Sequence, residues 1–194
     1  MIQGAACADF ASLVISARKG EFEAGFEREG QTREHAQLAK SLGVTKLIII
    51  VNKLDDCQWK PERYMEIKEK VQPFLAQCGY NINTDVFWIP IAGITGENIK
   101  FRKEVDWYKG PTLLELFDQM TIPERNPLGP IRIPILDKMS DRGVIVFGKV
   151  ESGTINIGEK IAIAPSLYPC QVLNIFNVKE QLVKYAKAGE NVKL

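Results

Sequence analysis

The run Leu47–Val51 (LIIIV) leads directly into Asn52-Lys53-Leu54-Asp55. Five consecutive branched apolar residues, without polar alternation, fit a strand covered on both faces. Two further continuous runs share that character: Phe10–Ser16 (FASLVIS) and Val86–Ile91 (VFWIPI). Helical patterns lie between them. Thr32 is placed to cap the first, with Ala36, Ala39 and Leu42 on one face and Gly43 at its end. A second begins at Pro61, where a first-turn proline is tolerated, and Tyr64, Ile67, Val71, Leu75 and Cys78 recur at three or four. Gly79 closes it and Pro73 predicts a kink. A third covers Thr112–Met120. Strands and helices in this alternation predict an α/β fold with a parallel sheet.

The rest of the chain reads differently. Ile122–Pro130 (IPERNPLGP) holds three prolines, which suit neither a helix nor a central strand. It predicts a linker over 123–130, separating a domain at 1–122 from one at 131–194. The first 122 residues carry 15 basic and 17 acidic side chains, and the remainder 10 and 7. From Ile131 onward come short strand-like pieces (IRIPI, VIVFGKV, TINI, KIAIAP), with Gly143, Gly148, Gly153 and Gly158 five apart. Tight turns at that spacing predict a small antiparallel β-barrel, which stops at Leu194 in a strand-like pattern and is expected to be incomplete there.

Composition narrows the class further. A net charge of +1 selects no partner, and 45% apolar with 25% charged residues is globular. No run is long enough for a membrane span, and the first 20 residues lack a secretory-signal pattern. Cys7, Cys57, Cys78 and Cys170 form no CxxC pair, which fits a reducing cytosol. One histidine and no HExxH argue against a metalloenzyme.

The chemistry concentrates at the end of LIIIV. Ligands of open α/β sheets bind beyond the carboxyl ends of strands. Asp55 there can accept from the adjacent ring N–H and exocyclic amine of guanine, a donor pair that adenine lacks. Lys53 can lay its stem across the base plane, and Asn52 can brace the loop. A polar strand end with an Asx turn is the bland alternative. After the next strand, Ala92-Gly93-Ile94 can aim backbone N–H groups at a base oxygen, with Gly93 allowing close approach; taken alone, an ordinary glycine turn is the favoured reading. Trp59, Trp88 and Trp107 read as packing residues. The charges from Arg18 to Arg33 read as a solvated face, with RNA contact as the alternative. A nicotinamide dehydrogenase is discarded, because no GxGxxG follows a strand.

Taken together, RKGEFEAGFEREGQTREHAQLAKSL, NKLDD and DRGVIVFGKVESGTINIGE resemble the translational GTPases. ISARKGEFEAGFE, YNINTDVFWIP, WYKGPTLLE and the pairing of DKMSDRG with VESG are most similar to the GTP-binding subunits of eukaryotic release factors. Ribosome-rescue and elongation-type GTPases stay open as alternatives, as does a non-catalytic ribosome- or protein-binding fragment.

The resemblance implies a guanine-base site for GTP or GDP at Asn52, Lys53, Asp55, Ala92, Gly93 and Ile94. Ala92 stands where the family usually has serine, which costs a hydroxyl but keeps the backbone donors. It implies GTP hydrolysis in a full-length protein, a stop-codon-reading release factor and the ribosome as partners, no membrane, and a cytoplasmic location. No GxxxxGK[ST] occurs, and Glu21, Glu23, Glu27 and Glu29 would repel a phosphate from the Gly20–Gly30 stretch. The switch and DxPGH segments are likewise missing, so Mg²⁺ is expected only in a longer protein and this chain alone is expected to be inactive. His35 is expected to be a surface or capping group. The strand Phe10–Ser16 is expected to present an open edge, favouring self-association unless residues 1–11 fold back over it.

Overall fold

The computed structural model describes residues 8–27, 30–121, 124–140 and 143–194. They fall into two compact units, Met1–Ile122 and Pro123–Leu194. In the first, strands β1 (Phe10–Ser16), β2 (Lys46–Asn52) and β3 (Val86–Pro90) form a parallel sheet with β2 in the middle. Because strand side chains alternate, β2 serves two cores at once. Leu47, Ile49 and Val51 face a cluster with Leu13, Ile15, Phe22, Ile67, Val71 and Leu75. Ile48 and Ile50 face another with Ile89, Ile91 and Leu116.

Four helices accompany the sheet: α1 (Glu21–Phe26), α2 (Gln31–Ser41), α3 (Pro61–Gln77) and α4 (Leu113–Gln119). α3 starts at Pro61 and continues through Pro73; Gly79 follows its end at φ 89°. Thr112 caps α4 by accepting from the Glu115 amide, while the Glu115 carboxylate accepts from the Thr112 amide. Three expectations need correction. Gly30, not Thr32, stands at the N-cap of α2, one residue before Gln31. Of the two readings of His35, surface or capping, its half-buried place in the middle of α2 overturns the capping one. α1 falls in the stretch read as a charged face; its Phe22 is buried and stacks on Phe26.

The second unit is antiparallel, as expected of a barrel-type domain. Its strands are β4 (Ile135–Ser140), β5 (Val144–Lys149), β6 (Thr154–Asn156), β7 (Lys160–Ile163), β8 (Tyr168–Gln171), β9 (Ile175–Phe176), β10 (Leu182–Val183), β11 (Tyr185–Lys187) and β12 (Asn191–Lys193). One sheet runs β10-β9-β12-β5-β4; β6 pairs with β11 and β7 with β8. Val150, Ile155, Val172, Ile175, Ala186 and Val192 are its core. IRIPI is not the strand expected. Arg132 makes an isolated bridge to Ser152 and the regular strand starts only at Ile135, since Pro130 and Pro134 cannot donate to a ladder. Gly148 sits inside β5, where any Cβ would meet the Pro134 carbonyl oxygen.

Candidate functional site

β1 and β2 end together, and the Ala17 amide donates to the Asn52 carbonyl at 2.7 Å. The Asn52 side chain does more. Its Oδ1 accepts from the Lys53 amide at 2.7 Å and from the Gly93 amide at 2.9 Å. One side chain therefore closes the loop after β2 and fastens it to the loop after β3. A Cβ on Gly93 would sit 3.2 Å from that same oxygen, a tight contact that would push the two loops apart by a few tenths of an ångström. The Leu54 amide adds a bond to the Ile91 carbonyl at 3.3 Å.

The turn following β2 is strained. Lys53 (φ 64°), Gln58 (φ 53°) and Trp59 (φ 53°) all adopt left-handed backbone, as does Asn98 (φ 58°) beyond the second loop. These are four of the six non-glycine residues with positive φ among those described. Each costs about 1–3 kcal/mol, so the surrounding contacts must hold them, and such strain concentrates at functional sites. Leu54, fully buried, anchors the turn, and the Trp59 amide returns to the Leu54 carbonyl at 2.9 Å. Asn98 is equally buried: its Nδ2 donates to the Pro90 carbonyl at 3.0 Å and its Oδ1 accepts from the Lys103 amide at 2.7 Å.

This scaffold presents a small polar set. Asp55 opens a short 3₁₀ turn, Asp55–Cys57, and is half-buried. Its carboxylate takes no hydrogen bond from the described residues. Lys53 reaches the other way, its ammonium 2.6 Å from Glu21 Oε2. Glu21 also accepts from Ser16 Oγ at 2.8 Å and from Arg18 at 3.0 Å, and the Arg18 guanidinium grips Asp56 through Nε and a terminal nitrogen. The Lys53 ammonium, then the Ser16 hydroxyl, hold the Glu21 carboxyl down at about 2. The sequence reading missed this cluster. Its signal was the acidic residue four after Ala17, but nothing local says that Lys53 lies beside it.

The second loop is more selective than expected. Ala92 is fully buried, and its amide goes to the Glu97 carbonyl at 3.2 Å. The Gly93 amide is used by Asn52. Of the three amides, only that of Ile94 is untaken among the described residues, and the Ile94 side chain is 91% exposed. The tryptophans pack: Trp59 is buried, and the Trp88 and Trp107 rings lie 6.5 and 5.1 Å from Tyr64. Among the described residues, the Asp55 carboxylate and the Ile94 amide are thus left without hydrogen-bond partners, on two loops joined through Asn52 and Leu54.

Residues 1–124 match the family model of the elongation factor Tu GTP binding domain, and the chain belongs to that family. Across its whole length it is 47% identical to the eukaryotic peptide chain release factor GTP-binding subunit of Candida maltosa and 48% identical to that of Candida albicans. In both cases the match takes in 100% of this chain and 28% of the relative, so the chain spans under a third of those proteins. The crystal structure of Sup35 complexed with GDP aligns at a TM-score of 0.58 and 42% identity, covering 96% of this chain and 47% of that one. The apo form of translation elongation factor SelB from Methanococcus maripaludis shares the fold, at a TM-score of 0.67 and 22% identity over 97% of this chain and 36% of that one.

Proposed function

We propose that this chain carries the guanine-reading part of the nucleotide domain, followed by the β-barrel domain at 131–194, of a translation-termination GTPase. The observation that carries the base site is the half-buried Asp55 carboxylate, left without a partner on a turn that Asn52 clamps. Guanine satisfies it with two donors, while adenine would bury it unpaired. Ile94 supplies the amide facing a base oxygen, and Lys53, tethered by Glu21, offers its stem to the base plane. The whole-length likeness to release-factor subunits supports GTP as the nucleotide, and a stop-codon-reading factor and the ribosome as the partners, in the cytoplasm.

The residues present do not fit the phosphates or Mg²⁺. No GxxxxGK[ST], the loop that cradles the phosphates and whose Ser or Thr holds Mg²⁺, occurs in the 194 residues. GTP hydrolysis is accordingly assigned to a longer protein containing this chain, and no turnover is assigned to the chain alone.

Asp55→Asn tests the base site. The amide donates where the carboxylate only accepts, so guanosine binding should fall by about 2–4 kcal/mol while xanthosine gains. Titrations followed by amide chemical shifts read both. Guanosine affinity unchanged by the substitution would remove Asp55 from the site.

A further inference from the structure

The two loops of the candidate site are joined a second time, away from Asn52, by a carboxylate that no sequence motif marks. Glu97 Oε2 accepts from the Trp59 indole N–H at 3.1 Å and from Thr95 Oγ1 at 3.0 Å, while Oε1 takes the Lys103 ammonium. Trp59 is the left-handed residue that ends the Asp55 turn; Thr95 directly follows Ile94. The Lys103 ammonium also lies 5.7 Å from the Trp59 ring centroid, so the indole is held at its edge and over its face. The Trp59 backbone carbonyl accepts from Trp107 Nε1 at 2.8 Å. Lys103 is itself fixed, since its amide donates to buried Asn98.

We propose that Glu97 is a positioning residue for base recognition: it sets the distance between the Asp55 carboxylate and the Ile94 amide. The inference rests on the base-site reading above. The physical reason is strain. Gln58 and Trp59 hold an unfavourable backbone conformation that local sequence would release. The Trp59 side chain is the handle by which the turn is held, and Glu97 is what grips it. Asn52 fixes the start of the Asp55 turn against Gly93, and Glu97 fixes its end against Thr95. A loop pinned at one end pivots; pinned at both, it keeps its acceptor in register with the donor opposite. Recognition of a planar base needs that register to within a fraction of an ångström. Glu97 touches no base itself. Lys103 and the two hydrogen-bond donors also hold its carboxyl below the ordinary range, so the clamp stays charged at neutral pH.

The test uses the 194-residue chain, with guanosine, inosine and adenosine as probes and amide NMR as the readout. Inosine lacks the exocyclic amine that Asp55 would accept, so the guanosine-to-inosine ratio reports how well Asp55 is placed. Glu97→Ala should speed exchange of the Leu54 and Gly93 amides and cut the guanosine-to-inosine preference roughly tenfold, the scale of one lost charge-assisted bond. Glu97→Gln, which keeps a neutral acceptor for Trp59 and Thr95, should recover part of that preference. Amides of the β2 core, Ile48 to Ile50, should not change, which separates repositioning of the loops from unfolding of the unit that holds them. Should Glu97→Ala fail to fold, Lys103→Met removes the ammonium alone and should weaken the preference in the same direction. Unchanged selectivity and unchanged loop exchange in these variants would overturn the inference. If the unmodified chain did not distinguish guanosine from adenosine while Glu97→Ala still loosened both loops, the base-site reading would fall and the loop coupling would stand.

Discussion

Asn52 is the residue whose loss should be felt most widely for its size. Its oxygen is the acceptor for two amides from different loops, and alanine would strand both. Asn52→Ala should cost about 1–2 kcal/mol of stability, near the value of two ordinary hydrogen bonds at a half-buried site. Urea unfolding checks this, and Asn52→Asp, which keeps the acceptor, should recover most of it. Arg63 plays a comparable part behind the site. Only 6% exposed, it donates to the Ala17 carbonyl at 2.7 Å and pairs with Glu23 and Glu66. The Arg63 guanidinium, with further help from the backbone, holds the Glu23 carboxyl down at about 2. A carboxyl lowered on folding contributes stability above its unfolded pKa and loses it as pH falls toward the folded one. Stability should therefore drop between about pH 4.5 and about pH 2. Urea midpoints across that window should show the decline, and Arg63→Met should flatten it.

At the level of elements, β1 is exposed in two senses. Among the described residues its only strand neighbour is β2, and Val14, 57% exposed, lies on the opposite face from buried Leu13 and Ile15. Residues 1–7, part of the segment whose folding back is the alternative to an open edge, lie outside the described residues. An edge left open favours association, in which case sedimentation should show concentration-dependent self-association that Val14→Lys reduces. The same strand shows what sequence can reveal. FASLVIS, LIIIV and VFWIPI announce strands because unbroken apolar runs have few other uses, and the motif after LIIIV inherits its place from the strand. α1 stayed hidden because Glu21, Glu23 and Glu27 outweigh two phenylalanines by eye, although Phe22 and Phe26 are four apart. β4 and β8 stayed hidden because they are largely exposed and held by backbone pairing to β5 and β7, which no local pattern encodes. The Trp59–Glu97 bond spans 38 residues of chain, and neither residue announces the other.

For the whole molecule, each core closes within its own unit: two clusters flank β2, and a third fills the antiparallel unit. All three tryptophans, Trp59, Trp88 and Trp107, belong to the first unit, and two of them pack around Tyr64. Their placement makes the chain optically lopsided. Indole emission is a private signal of the sheet-and-helix unit, whereas far-ultraviolet circular dichroism sums both. Two-state unfolding demands that such probes coincide. Separate cores predict that they will not: the emission transition should follow one unit alone, and the dichroism curve should be broader or biphasic. Superimposable curves would mean that the two units melt as one, a cooperativity that neither core supplies by itself.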